Sequence, residues 1–116
     1  LPIQYALTYP ARVASDRVQT SLTEIGRLDF EEPDPDRFPA LNLARRAGEV
    51  GGTLPAVLNA ANEIAVDAFC AGEISFLEIT ATVARTMEAH EVIAQPTLED
   101  VLTADAWARK AALASA

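Results

Sequence analysis

Asn59, Asn62 and Glu63 are the residues whose types and spacing most invite a chemical role. They belong to Leu58-Asn59-Ala60-Ala61-Asn62-Glu63, a polar island inside an otherwise apolar run. At i, i+3 and i+4 they would share one side of a helix. Two amides and a carboxylate so placed could hydrogen-bond a ligand or another domain. They could also cross-link helices or satisfy neighbouring helix ends, because an unpaired buried polar group costs about 1–3 kcal/mol. The second reading is preferred. The sequence supplies no nucleophile–base pair, acid–base dyad or metal set to complete a site around them, so no catalytic, cofactor-binding or metal-binding residue is assigned.

The remaining candidates are weaker. His90, the only histidine, falls at the end of a predicted helix, where interaction with the helix dipole is expected rather than ligation or catalysis. Cys70 is the only cysteine, so neither an intrachain disulfide nor a multi-cysteine metal site can form; it is expected to pack as a small hydrophobe. Glu31, Glu32, Asp34 and Asp36 crowd Pro33 and Pro35, but nothing there matches a calcium loop and such runs are usually solvated. Gly51-Gly52 precedes a helix without the lysine and spacing of a phosphate loop. Trp107 is expected to cover one end of a bundle.

Composition limits what these residues can belong to. At 116 residues the chain holds one domain, or one domain plus an arm. Half of it is hydrophobic, but only 6% is aromatic and glycines number 5. Alanine supplies much of the rest, which favours closely packed helices. The net charge of −8, from 17 acidic and 9 basic residues, would repel phosphate backbones and anionic membranes. No nucleic-acid or membrane partner is therefore expected. No run approaches the roughly 20 apolar residues that span a bilayer, and the single cysteine fits a reduced, cytoplasmic setting. The N-terminus has no basic segment followed by an apolar one and no initiator methionine, so the chain reads as processed or cut from something longer.

The elements that must position the candidates follow from breaks and caps. Ile3–Tyr9 can form a short helix behind Pro2, stopped by Pro10. Ala11–Gly26 shows no sustained period, and Leu28-Asp29-Phe30 alternates like a very short strand. This part is too poor in core to fold alone and reads as an arm ending in a proline-acid hinge near Pro33. Beyond it, Asp36 is expected to cap a helix over Arg37–Val50 with Phe38, Leu41 and Ala44 on its inner face, ended by Gly51-Gly52. Thr53 is expected to cap a second helix with an apolar stripe of Leu54, Val57, Leu58, Ala61, Ile64, Ala65, Ala68 and Phe69, stopped at Gly72. Ser75 and Glu78 form a capping box opening a third helix to about His90, with Phe76, Ile79, Val83 and Met87 at core spacing. Thr97 caps the last helix, anchored by Leu98, Val101 and Leu102. At Asp105 it either continues or restarts after a kink. The fold class is therefore all-α: a small antiparallel bundle of about four helices behind an extended N-terminal arm.

Four ordered segments, LPIQYALTYPARV, LDFEEPDPDRFPALNLA, TLPAVLNAANEIAVDAFCAGEISFLEI and LEDVLTADAWARKAA, carry a family resemblance over essentially the whole chain. Its most specific parts are Leu58–Glu63, Leu28–Asp34 and Asp100–Arg109. The chain resembles the C-terminal part of 1-deoxy-D-xylulose 5-phosphate reductoisomerase. That resemblance implies a parent enzyme that rearranges and reduces 1-deoxy-D-xylulose 5-phosphate to 2-C-methyl-D-erythritol 4-phosphate in non-mevalonate isoprenoid synthesis. The parent would use NADPH and Mg²⁺ or Mn²⁺, and it would be a homodimer. The nucleotide fingerprint, metal ligands and phosphate-holding residues of the family would lie before Leu1, so none is carried onto a position here. Residues 1–33 would be the tail of the catalytic domain plus a linker arm, and 34–116 the C-terminal bundle. The missing N-terminal and catalytic domains would be its natural partners. The arm, severed from them, would expose Tyr5, Leu7, Val13, Leu28 and Phe30 and either stay unfolded or exchange between copies. The alternative is a free-standing acidic helical interaction module without catalytic activity.

Overall fold

The computed structural model describes residues 2–14 and 20–114. Among them the chain forms six helices and no strand: α1 (Pro2–Thr8), α2 (Leu22–Ile25), α3 (Ala40–Val50), α4 (Leu54–Cys70), α5 (Phe76–Glu88) and α6 (Leu98–Leu113). The fold is all-α, as the alanine-rich composition indicates. Two compact units are present, Leu1–Glu32 and Pro33–Ala116.

In the first unit Pro2 opens α1, where its missing N–H costs nothing. The chain then turns back through a cis Tyr9–Pro10 peptide, and Gln4 Nε2 donates to the Val13 carbonyl at 2.9 Å. The Arg12 guanidinium lies 4.6 Å over the Tyr5 ring, with Tyr9 edge-on to Tyr5 at 5.9 Å. Tyr5 is consequently half-buried, while Ile3, Leu7, Tyr9 and Val13 are exposed. The single turn α2 escapes a reading by periodicity because four residues have no period to show. It is held by the Ser21 hydroxyl, which accepts from the Glu24 N–H. Val18 lies outside the described residues. The strand expected at Leu28–Phe30 does not form: no second strand exists among the described residues to pair with it, and Phe30 is 88% exposed.

The second unit contains four helices, with α4 at its centre packed against α3, α5 and α6. The α3 expectation needs two corrections. The helix begins at Ala40 rather than Arg37, because Asp34 closes its own turn first: its Oδ1 accepts the N–H of Asp36 and of Arg37, each at 3.0 Å. Asp36 does not cap it; the N-cap is Pro39. The inner face is Leu43 and Ala47, while Phe38 and Leu41 are about half exposed and Ala44 is exposed.

Helix α4 buries Leu54, Val57, Ala60, Ala61, Ala65 and Ala68, with Leu58 and Ile64 half-buried. The expected stripe is thus correct except at Phe69, which is exposed and meets Phe76 edge-on at 5.8 Å. Gly72, at φ +78, ends the helix: its N–H donates to Phe69 O and the Glu73 N–H to Ala68 O, the two bonds of a Schellman motif. Cys70 is exposed, not packed as a hydrophobe, since it lies one position off the buried stripe. In α5 the Glu78 carboxylate accepts the Ser75 N–H at 2.6 Å, completing the expected capping box. Thr82, Val83, Thr86 and Met87 form its inner face, whereas Phe76 is exposed. The helix stops at Glu88, so His90 lies just beyond it.

Helix α6 runs unbroken through Asp105. Its buried face is Ala104, Ala108 and Ala112, at i, i+4 and i+8. These alanines share one cluster with Ala60, Ala61, Val57, Val83 and Met87. Leu98 and Leu102, expected as anchors, are 75% and 61% exposed. Small side chains on both helices let α4 and α6 approach closely, and the bulkier leucines lie outside the seam.

Candidate functional site

Two polar constellations stand out in the second unit, and sequence reasoning found only part of each. The first grows from the polar island. Asn59 and Glu63, one turn apart on α4, are joined by Asn59 Nδ2 donating to Glu63 Oε1 at 2.9 Å. The other carboxylate oxygen of Glu63 accepts from Arg109 Nη2 at 2.7 Å. Arg109 also donates through Nε and Nη2 to the Asp105 carboxylate, at 2.8 and 3.2 Å. An amide, two carboxylates and one guanidinium therefore tie α4 to α6 across the alanine seam. Asn62 is not part of this chain. It turns toward α3 and α5, beside Leu43, Leu58, Thr80 and Val83.

The electrostatics of this network oppose acid–base work near neutrality. The Arg109 guanidinium, with help from the Asn59 amide, holds the Glu63 carboxyl below its usual range. Arg109 is held more firmly protonated by Asp105 and then Glu63. Each charge faces its complement, and the groups are at the surface. The island therefore cross-links helices, one of the roles its spacing allows. Arg109 is the member sequence reasoning missed: the Asp105/Arg109 i, i+4 pair was a legible signal, but its reach to Glu63 depends on how α6 lies on α4.

The second constellation joins segments distant in sequence. Thr53 occupies the N-cap of α4 in a helical conformation, and its hydroxyl does not cap the helix as expected. Fully buried, that hydroxyl accepts the Ile93 N–H at 3.1 Å and lies 2.7 Å from His90 Nε2. The Thr53 N–H returns a bond to the Ile93 carbonyl at 3.1 Å. Gly52 makes this closeness possible: at φ +58 it packs so tightly on Ile93 that a Cβ would collide with the Ile93 carbonyl. His90 thus pairs with a hydroxyl instead of a helix dipole. On its other side the imidazole meets the Trp107 indole at 5.1 Å between centroids. Ile93, Asp100, Thr103 and Ala104 complete an open hollow of about 230 Å³ beside this pair. Burial pushes the His90 imidazole below its ordinary value, and Glu91 opposes that in part.

Among the described residues no group of three or more His, Cys, Asp or Glu side chains is arranged to hold a metal. No helix is long and apolar enough to cross a membrane, again among the described residues. The acids of the hinge are exposed, with Asp34 committed to its own turn.

The architecture is that of an all-α bundle domain preceded by a largely exposed arm. Residues 1–111 match the family model of the DXP reductoisomerase C-terminal domain, and the chain belongs to that family. It is 54% identical over 112 residues to the 1-deoxy-D-xylulose 5-phosphate reductoisomerase of Desulforamulus reducens, covering 97% of this chain and 29% of that protein. The corresponding protein of Halothermothrix orenii is 54% identical over 109 residues, covering 94% and 28%. Among solved structures, the Zymomonas mobilis reductoisomerase in complex with NADPH superposes with a TM-score of 0.82 at 44% identity, covering 97% of this chain and 30% of that one. A reductoisomerase in complex with NADPH, fosmidomycin and magnesium gives 0.79 at 37% identity, covering 98% and 30%. The chain therefore spans less than a third of the length of the relatives it matches.

Proposed function

We propose that this chain is the C-terminal supporting part of a 1-deoxy-D-xylulose 5-phosphate reductoisomerase and is inactive by itself. The carrying observation is the match of residues 1–111 to the C-terminal domain family, over less than a third of each relative. In this reading the whole enzyme isomerises 1-deoxy-D-xylulose 5-phosphate and reduces it with NADPH and Mg²⁺ or Mn²⁺. It works in the cytoplasm, in non-mevalonate isoprenoid synthesis, as a homodimer. The nucleotide, metal and substrate phosphate are held by domains that precede Leu1. Residues 1–33 are the tail of the catalytic domain plus the linker arm. Residues 34–116 are the bundle, which braces the catalytic domain.

Two features support a bracing role. Asn59, Glu63, Arg109 and Asp105 are committed to one another, which ties α4 to α6 and keeps Glu63 ionised near neutral pH. The apolar residues left exposed in the first unit, among them Leu7, Leu28 and Phe30, suit a surface that the missing domains cover. The test is spectrophotometric. The purified chain with 1-deoxy-D-xylulose 5-phosphate, NADPH and Mg²⁺ is expected to leave the NADPH absorbance unchanged, and to bind no NADPH in a fluorescence titration. The same chain joined to the preceding domains of a relative is expected to turn over. Clear oxidation of NADPH by the chain alone would refute the proposal.

A further inference from the structure

We propose that the Thr53–His90–Ile93 junction is a proton-operated latch. Neutral His90 holds the segment between α5 and α6 against the turn that opens α4, and a proton on its ring releases that segment. The inference is independent of the reaction of the parent enzyme.

The hydrogen-bond inventory carries it. Thr53 Oγ1 has one proton to donate and two lone pairs. It already accepts the Ile93 N–H at 3.1 Å, and the nearest partner for its own proton is His90 Nε2 at 2.7 Å. We assign the proton of the neutral ring to Nδ1, so that Nε2 accepts the Thr53 hydroxyl. Protonation turns Nε2 into a donor. Thr53 Oγ1 can then meet it only through its remaining lone pair, and the hydroxyl proton of a fully buried threonine loses its acceptor. The strain falls on Thr53, whose two bonds to Ile93 fasten the segment.

Surrounding groups do not cancel the effect. The turn between α3 and α4 supplies Gly51, Gly52 and Thr53, none of which titrates. Trp107 on α6 faces the imidazole with an indole ring. Asp100 lines the same hollow, but its carboxylate accepts both the N–H and the hydroxyl of Thr97 and is held below its usual range by them. Glu91, on the segment itself, favours the charged imidazole, yet burial outweighs it. A histidine shifted downward contributes stability that is present above its ordinary value of 6.5 and lost as pH falls through the lowered one.

His90 is the only histidine, so its ring resonances are unambiguous. The full chain is titrated by NMR from about pH 8 to pH 5, a window above the usual carboxylate range, following the imidazole and the Ile93 amide together. The expected result is a His90 midpoint below 6.5, with the Ile93 amide moving at the same midpoint and its exchange protection falling on the order of tenfold, as the loss of a buried hydrogen bond would give. In His90→Gln, whose amide oxygen can accept the Thr53 hydroxyl but does not titrate, Ile93 should stay constant across the window. The latch is overturned if Ile93 is indifferent to the His90 titration, if His90 titrates at or above 6.5, or if His90→Gln shows the same transition at Ile93. Should that variant fail to fold, coincidence or separation of the two wild-type midpoints still decides the matter.

Discussion

Single residues set the sharpest constraints, and Gly52 is the clearest. Both its positive φ and its contact with the Ile93 carbonyl forbid a side chain. Gly72 has a similar φ, +78, but open space around it. Gly72→Ala should therefore lose about 1–2 kcal/mol, the cost of a left-handed alanine. Gly52→Ala should lose distinctly more, because the backbone of Ile93 must also move. Urea denaturation at unchanged m-value would measure both, and equal losses would contradict the structural reading of Gly52. Glu63 makes a different prediction. Its carboxyl is held low by Arg109, then Asn59, so it binds fewer protons folded than unfolded. Its contribution is complete above the unfolded value near 4.5 and disappears as pH falls through the lower folded value. Glu63→Gln should flatten part of the acid limb of a stability–pH curve, with its loss fully present at pH 7 to 8 and fading as the pH falls through the acid limb. An acid limb identical to wild type would remove the Arg109–Glu63 pair from the account. Asn59 and Glu63 were legible as a pair on one helix face. Arg109 and the Thr53–His90 contact were not, because they join residues 46 and 37 positions apart, and no local pattern encodes such pairing.

At the scale of elements, helix stops and the capping boxes read well, while the start of α3 and the inner faces packed by alanine read poorly. Gly51, Gly72, Ser75 and Thr97 mark helix ends through backbone geometry and local hydrogen bonds, which depend on few neighbours. The face of α6 depends on what it meets. A sequence reading weights leucine over alanine, so it picks Leu98 and Leu102, whereas the close seam with α4 admits only Ala104, Ala108 and Ala112. The same bias chose Phe38 and Leu41 for α3. This inversion can be measured. Ala108→Leu should force the two helices apart and cost about 1–3 kcal/mol through overpacking. Leu102→Ala removes a far larger side chain from an exposed site and should stay within about 0.5 kcal/mol. Thermal or chemical unfolding of the two variants gives the comparison directly. If Leu102→Ala proves the more damaging, the alanine seam is not what holds α6.

The whole molecule couples a core-bearing unit to one with little core. Among the described residues the buried hydrophobic ones fall between Ala47 and Ala112, inside Pro33–Ala116. The first unit instead exposes Ile3, Leu7, Tyr9, Val13, Leu22, Leu28 and Phe30. The bundle also exposes Phe76, Leu77, Leu98 and Leu102, but it has a buried core of its own and so the means to fold alone. The apolar surface of the first unit has almost no core behind it and favours association. Removing residues 1–32 should therefore leave a helical, cooperatively unfolding chain by circular dichroism. The full chain should associate as its concentration rises and the shortened one should not, as light scattering over a dilution series would show. The association should also survive high salt, because the surface involved is apolar and charge screening weakens only ionic contacts. A full chain that stays monomeric at high concentration would mean that the first unit satisfies its apolar residues by itself. A shortened chain that fails to fold would mean that the bundle needs the arm.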